Sequence, residues 1–231
     1  MSLGEYLGAG SGTTKLLLHL NGSSVDSSGN SNSGTDTAIT YSQANGKFGQ
    51  GAGFNGSNSK IIATGAKLPL SGAFTVNFWM KATNFTNVMF VLSSMDNGVA
   101  QYGINVLTET SGKITVEKGK GGGGAVNFGG TSNTALSAGT YGMVTFSWDG
   151  TTTADKAIIY INGSSDKTMT AVTTSDANAT NDFRIGELSL TGSDILPYNG
   201  LIDEVIIESV AWSAEKVRKH YSYSKGRFGI I

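Results

Sequence analysis

A stretch rich in short polar side chains follows the first apolar run of the chain. The segment "HLNGSSVDSSGNSNSG" covers residues 19–34 and includes Asp26, Gly29 and Asn30. Calcium prefers six to eight hard oxygen ligands from carboxylates, amides and backbone carbonyls. Asp26 and Asn30 offer such oxygens, and Gly29 permits the sharp turn that would bring carbonyls round an ion. A flexible loop, or an Asx-turn between Asp26 and its own backbone, is the alternative.

The side chains that serve most often in catalysis are few. The chain has two histidines, His19 and His220. His19 alternates with leucines in a predicted strand, and His220 lies in a predicted terminal helix. No serine stands in a nucleophile elbow with histidine and acid partners. The glycine-rich "GKGGGG" at 119–124 lacks the Lys-Ser/Thr that completes a phosphate-binding loop. These patterns favour a protein that is not an enzyme.

The composition narrows the class of protein. The 231 residues include 33 glycines, two prolines and no cysteine, and 14% are charged. Glycine and asparagine supply the positive φ angles of tight turns, which suits many short strands. A net charge of −1 without clusters of lysine and arginine argues against nucleic-acid or membrane-surface binding. The lack of cysteine excludes disulfides, and no apolar stretch approaches the roughly 18–20 residues of a membrane span.

Alternation of apolar and polar residues predicts about a dozen short strands. The clearest lies at 73–82, where Phe74, Val76, Phe78 and Met80 would face a core. Further strands are predicted within 15–20, 38–42, 47–64, 87–95, 102–109, 113–119, 139–150, 156–167, 182–187 and 201–210.

Only residues 213–224 have a helical pattern, with Ser213 as the N-cap. Many short strands, turn signals between them and one short C-terminal helix predict an all-β sandwich or jelly roll. The predicted organisation is an N-terminal arm at 1–14, one domain at 15–221 and a C-terminal tail at 222–231.

Four motifs, taken in order, resemble the laminin G-like branch of the concanavalin A-like lectin/glucanase superfamily. They are "LLLHLNGSSVDSSGNSNSG", "GKFGQGAGFNGSNSKIIA", "FTVNFWMKA" and "YNGLIDEVIIESVAWSAEKVRKHY". The resemblance covers roughly residues 15–221 and implies a concanavalin A-like β-sandwich. Two places depart from the family pattern: "TYGMVTFSWDG" lacks the frequent Trp-His or His-His, and 117–133 is richer in glycine. Family ligand contacts near these places are therefore not carried over.

The resemblance also implies a structural calcium ion between the opening turn and the closing strand. The matching acid of the closing strand is Asp203 in "GLIDEV". The predicted Ca²⁺ ligands are then Asp26, Asn30 and Asp203, completed by backbone oxygens. In the alternative, Asp203 lies on a solvated strand end.

Glycoside hydrolases belong to the same superfamily, and they need two carboxyl groups about 5–9 Å apart across a cleft. Its laminarinase-like members carry the acids on one strand as Glu-x-Asp-x-x-Glu. Glu204 and Glu208 share a predicted strand here, but three apolar residues separate them and the central acid is missing. The sequence therefore predicts no catalytic residues, and a glycoside hydrolase is the less favoured alternative.

The first functional hypothesis is a structural or decoration protein of a virus particle, such as a phage. The composition looks extracellular, yet the first residues lack the basic and apolar regions of a signal peptide. Release by cell lysis would reconcile an extracellular composition with the lack of a signal peptide. A signal that has already been removed, or a misleading composition, would do so as well. In this hypothesis the terminal arms dock on other virion proteins or on copies of the chain.

The second hypothesis is an extracellular, lectin-like adhesion module that binds carbohydrate. Exposed aromatic rings would face sugar rings, and amide groups would bind sugar hydroxyls. The candidates near predicted turns are Trp148, Tyr102, Tyr198 and Asn199, and Trp79 is a further candidate on an outer face. A core or rim position is the alternative for each aromatic. The two hypotheses are compatible, because a decoration protein could also contact host glycans.

Overall fold

The computed structural model describes residues 12–64, 72–95, 103–119, 126–173, 182–188 and 196–226. This part of the chain contains fifteen strands and one α-helix. In chain order they are β1 (Thr14–Leu18), β2 (Thr35–Thr37), β3 (Thr40–Ser42), β4 (Gly51–Asn55), β5 (Lys60–Ala63), β6 (Phe74–Ala82), β7 (Met89–Ser93), β8 (Ile104–Thr108), β9 (Ile114–Gly119), β10 (Val126–Thr131), β11 (Gly142–Trp148), β12 (Ala157–Ile161), β13 (Ser164–Met169), β14 (Phe183–Ile185), β15 (Asn199–Glu208) and α1 (Ala214–Lys225).

The strands form two antiparallel sheets that enclose the main core. The eight-stranded sheet has the order β13-β12-β11-β6-β15-β4-β3, and β1 also pairs with β15. The seven-stranded sheet has the order β10-β9-β8-β7-β14-β5-β2. The predicted all-β sandwich with one short C-terminal helix is therefore confirmed for the described residues. None of their helices has the length and apolar character needed to cross a bilayer.

The predicted alternation of β6 positions its side chains as expected. Phe74, Val76, Phe78 and Met80 are buried in the core between the sheets, together with side chains from the facing strands. Each large apolar side chain that is removed from water in this way stabilises the fold by about 2 kcal/mol. The packing of the two inner faces is what sets the sheets against each other.

A second, smaller core lies under α1 on the outer face of the eight-stranded sheet. The helix begins after Ser213, whose hydroxyl accepts a hydrogen bond of 3.2 Å from the N–H of Lys216. Tyr221 of α1 stacks on Trp79 of β6 with ring centroids 5.7 Å apart, and Val217 is buried beside them. Trp79 lies on the outer face of the sheet as predicted, but α1 covers it and it is 2% exposed, so its ring is not available to a sugar.

Several details differ from the sequence-based expectations, among them β2 at Thr35–Thr37, where no strand was predicted. Strand β10 lies in the glycine-rich stretch at 117–133, where the sequence predicts a strand only up to residue 119. Strand β1 begins at Thr14, where an arm was expected to end, and α1 continues to Lys225, past the expected domain end at 221. Both ends of the described chain thus take part in regular structure.

Candidate functional site

Two of the predicted sugar-facing rings are core residues. Trp148 is fully buried, and its ring packs against Phe74 and Phe128 at centroid distances of 5.9 and 5.6 Å. Tyr198 is also fully buried, edge-on to Phe54 at 5.9 Å. Neither ring is available to a sugar, so the structure corrects this part of the prediction. Trp148 ends β11 before a turn and Tyr198 directly precedes β15, and both side chains belong to the main core between the sheets.

The fourth predicted sugar contact, Asn199, lies at an open pocket of about 230 Å³, while Tyr102 lies outside the described residues. The pocket is formed by the turn after β4, the loop between β6 and β7, and the start of β15. We name it the asparagine pocket, and its lining residues are Gly56, Asn84, Thr86, Asn87, Val88, Met89, Leu196, Pro197 and Asn199.

Backbone hydrogen bonds hold the three segments of the asparagine pocket together. The N–H of Gly56 donates to the carbonyl of Tyr198 at 3.1 Å, and the N–H of Thr83 donates to the carbonyl of Asn199 at 3.0 Å. The start of β15 is thus fixed between its two neighbours in the sheet. A binding site that is built on strand ends keeps its geometry better than one on a free loop.

The side chain of Asn199 occupies space that is open only because residue 56 is a glycine. Gly56 has φ +71°, in the left-handed region, and a Cβ there would lie 2.8 Å from Cβ and 3.1 Å from Nδ2 of Asn199. Any larger side chain would therefore displace the amide. Asn199 is half-buried, and its side chain makes no hydrogen bond within the part of the chain that the structure describes. Its amide is available to a ligand.

The other two amides of the asparagine pocket come from the loop after β6. Oδ1 of Asn84 accepts hydrogen bonds from the N–H of Thr86 at 3.2 Å and from its hydroxyl at 2.8 Å. This turn leaves the amide nitrogen of Asn84 as a donor. Nδ2 of Asn87 is 3.5 Å from the Thr86 hydroxyl, a marginal contact. An amide both donates and accepts hydrogen bonds, as a sugar hydroxyl does, so three amides can bind several hydroxyls.

Asp26, the first predicted calcium ligand, organises the opening turn through hydrogen bonds. Its Oδ1 accepts the N–H groups of Leu17 at 3.0 Å and Ser28 at 2.9 Å. Its Oδ2 accepts the N–H of Asn32 at 2.9 Å and the hydroxyl of Ser28 at 2.8 Å. The bond to the second residue along the chain is the Asx-turn that was considered as the alternative.

Asp203, the predicted ligand in the closing strand, lies at a bulge of β15 and is fully buried. Its Oδ2 accepts the N–H groups of Lys47 at 2.7 Å and Phe48 at 2.8 Å, which secures the loop before β4. Its Oδ1 is buried without a hydrogen-bond partner among the described residues. Burial raises the pKa of the Asp203 carboxyl to about 7.

The three predicted calcium ligands have no hydrogen-bond partner in common among the described residues. Asp26 and Asn30 both bind Ser28, whereas Asp203 binds the backbone of a different loop. An ion would have to displace the donors of the four hydrogen bonds that the Asp26 carboxylate accepts. These contacts do not fit the ion as predicted. They favour the Asx-turn, and the calcium site stays a prediction.

No cluster of three or more histidine, cysteine or acidic side chains suited to a metal occurs among the described residues. The remaining acids of β15 are engaged in other contacts. Oε2 of Glu204 is 2.9 Å from Nδ1 of His19, and this hydrogen bond raises the pKa of the histidine. Glu208 is buried, and its carboxylate accepts the hydroxyls of Thr13 at 2.8 Å and Thr14 at 3.0 Å. Neither glutamate lines the asparagine pocket.

A family model matches most of the chain. The Laminin_G_3 model, described as concanavalin A-like lectin/glucanases superfamily, matches residues 54–218. This range includes the three asparagines of the pocket and Asp203, and it leaves out the opening turn with Asp26. No curated protein sequence matches the chain.

Solved structures share the fold at low sequence identity. Domain 4 of AbnA, a GH43 extracellular arabinanase from Geobacillus stearothermophilus solved with arabinotriose, is 21% identical with a TM-score of 0.68, over 90% of this chain and 98% of that domain. The binding domain of Paraclostridial Mosquitocidal Protein 1 is 16% identical with a TM-score of 0.67, over 92% of this chain and 52% of the other.

The receptor-binding domain of botulinum neurotoxin type G is 19% identical with a TM-score of 0.63, over 91% of this chain and 51% of the other. The chain thus spans about half the length of the two toxin domains and nearly all of the arabinanase domain. At these identities the likeness is one of fold.

Proposed function

The chain belongs to the concanavalin A-like lectin/glucanases superfamily, and we propose on that premise that it is a non-catalytic carbohydrate-binding module. The asparagine pocket is its proposed sugar site. The arabinanase domain with the same fold was solved in complex with arabinotriose, which supports a sugar as the ligand class. The proposed setting is extracellular, in line with a composition rich in glycine and only 14% charged.

The observation that carries the proposal is the free amide of Asn199 beside those of Asn84 and Asn87. Three amide side chains converge on one open pocket. The side chain of Asn199 makes no hydrogen bond within the described residues, whereas Oδ1 of Asn84 already accepts two. Polar groups that no neighbour satisfies, held at fixed strand ends, are suited to the hydroxyls of a sugar.

The proposal assigns no catalytic role because the two glutamates of β15 are buried and engaged in other contacts. Hydrolysis of a glycosidic bond needs two carboxyl groups that reach the bond from opposite sides. Glu204 and Glu208 are buried, and they bind His19 and the two threonines of the N-terminal segment instead. Neither is therefore assigned a part in bond cleavage.

Decoration of a virus particle is the second proposal, and it rests on composition and on the terminal arms. Of the predicted arms, residues 12–14 and 222–226 are described, and these contact the domain. The N–H of Ser209 donates to the carbonyl of Thr13 at 2.8 Å, for example. Light scattering on the full chain and on residues 12–226 tests this proposal. An assembly that only the full chain forms would support docking through the outer parts of the arms, and two monomers would contradict it.

The test of carbohydrate binding is a panel of neutral oligosaccharides, including arabinotriose, measured by isothermal titration calorimetry. We expect Asn199→Ala to weaken the binding of any ligand about tenfold, because one or two hydrogen bonds worth about 1.5 kcal/mol are lost. Asn58→Ala is the matched control, since Asn58 lies on the same turn as Gly56 without lining the pocket.

Equal loss of affinity in both variants, or binding that ignores Asn199, would contradict the proposed site. A lack of binding to every oligosaccharide of the panel would contradict the function itself. Circular dichroism of both variants checks that the sandwich is still formed.

A further inference from the structure

We propose that the asparagine pocket binds an N-acetylhexosamine residue of a neutral glycan, an inference that rests on the proposed carbohydrate-binding function. An N-acetyl group combines an amide with a methyl group. The pocket offers a partner to each, because one part of its lining carries amide side chains and another part is apolar.

The apolar part consists of Val88, Met89, Leu196 and Pro197. Leu196 is 41% exposed, and few other large apolar side chains of the described residues are exposed to that extent. Its φ of +51° lies in the left-handed region, which leucine rarely adopts. A hydrogen bond of 2.9 Å from the N–H of Phe90 to its carbonyl holds the backbone there. Strain of this kind clusters at ligand sites, and a ligand methyl group would cover the exposed side chain.

The amide part supplies both kinds of hydrogen bond that an acetamido group needs. An acetamido group donates through its N–H and accepts through its carbonyl oxygen. Asn199 offers a carbonyl oxygen and an amino group without described partners, and Asn84 offers a free amino group. A plain hydroxyl at the same position of the sugar would use one of these groups and would leave the apolar part uncovered.

The lining also limits the rest of the ligand. No described lining residue is charged, so an acidic or sulfated sugar would lose water without gaining a cationic partner. No described lining residue is aromatic, so ring stacking does not supply the binding energy. A volume of about 230 Å³ is below the roughly 300 Å³ of the smallest pockets for drug-sized ligands, which limits the pocket to about one sugar residue.

The decisive experiment compares N,N′,N″-triacetylchitotriose (chitotriose below) with cellotriose on the full chain by isothermal titration calorimetry. The two trisaccharides share linkage and ring configuration and differ in the acetamido or hydroxyl group at C2. We expect chitotriose to bind at least about tenfold more tightly, because a site built for a group rejects the analogue that lacks it. Leu196→Ser is expected to narrow this ratio several-fold, and Val25→Ser, at an exposed valine outside the pocket, to leave it unchanged.

Equal affinities, a preference for cellotriose, or a preference that neither Leu196→Ser nor Asn199→Ala changes would each overturn the inference. The same measurements test the proposed carbohydrate-binding function separately from the N-acetyl selectivity. Binding of cellotriose or arabinotriose that depends on Asn199 would retain the sugar site and remove only its N-acetyl selectivity. If no trisaccharide binds, the inference and the proposed function both fail.

Discussion

Strand β15 carries two polar side chains with opposite roles only four residues apart. The side chain of Asn199 at its start is half-buried and makes no hydrogen bond to the described residues, whereas Asp203 at its bulge is buried and holds a loop through two N–H groups. The turn after β4 and the loop after β6 surround the side chain of Asn199 but leave it accessible, whereas the loop before β4 covers Asp203. The comparison teaches that polar residue type alone does not separate ligand sites from structural ones. The partners already present in the fold make the difference.

The largest effect is expected at Asp203, as a dependence of stability on pH. Its pKa is raised from 3.8 to about 7, so the folded state holds a proton that the unfolded state has lost between those values. The resulting stability is complete below about pH 4 and is lost as pH rises through 7. The free energy of unfolding should fall by up to about 1.4 kcal/mol per pH unit in this window. Urea unfolding between pH 4 and 8 measures it.

Asp203→Asn removes the titrating group and keeps an oxygen for the two N–H donors, so we expect a flatter pH profile. Asp149→Asn, at a turn, is the control that should keep the slope of the natural chain. A profile that Asp203→Asn does not change would assign the pH dependence to other groups and would weaken the contrast with Asn199.

A smaller loss of stability is expected for Asp26→Ala. The substitution removes the acceptor for the N–H of Leu17, which belongs to a buried residue of β1, and opens the turn beyond it. An unsatisfied buried donor costs about 1–3 kcal/mol, and we expect about 2 kcal/mol in urea unfolding. Ser27→Ala, at an exposed position of the same turn, should change the unfolding free energy by less than about 0.5 kcal/mol.

Chelation distinguishes the two explanations of the opening turn. Because four donors already occupy the oxygens of Asp26, we expect the melting temperature to be the same with EDTA and with added calcium. An ion that binds the folded state must raise the melting temperature. A calcium-dependent rise that Asp26→Ala abolishes would restore the predicted set of Asp26, Asn30 and Asp203.

The smallest effect on stability is expected at the asparagine pocket. Asn199→Ala removes a side chain without described hydrogen bonds, so the unfolding free energy should stay within about 0.5 kcal/mol of the natural value. The same variant should lose sugar affinity. A loss of stability similar to that of Asp26→Ala would show that Asn199 serves the fold, and the contrast within β15 would disappear.

Local patterns were sufficient for most of the fold. The period-two alternation of β6 depends on neighbours in sequence, and its four predicted core residues are buried as expected. Strand β10 was missed because "VNFGGT" has few β-branched residues, and its partner β9 supplies the pairing that fixes it. Pairing with a distant segment is not visible in a local pattern.

The candidate site was predicted only in part. Asn199 was recognised beside a turn, but Asn84 and Asn87 were not, because the pairing of β6 with β15 brings their loop to it across more than a hundred residues. Trp148 was misjudged for a related reason. It ends a strand next to a turn, and only the packing of Phe128 from the other sheet shows that its ring is inside.

The pairing of β1 with β15 has a consequence for folding during synthesis on the ribosome. Thr14 and Glu208, which are hydrogen-bonded, are 194 residues apart in the chain. A ribosome that adds 5–20 residues per second reaches Glu208 roughly 10 to 40 s after it has added Thr14. During that interval the nascent chain lacks a central strand of its larger sheet, and such long-range pairing also slows the final closure. Cotranslational folding of this sandwich therefore ends late, and chaperones that shield nascent strands are expected to raise its yield.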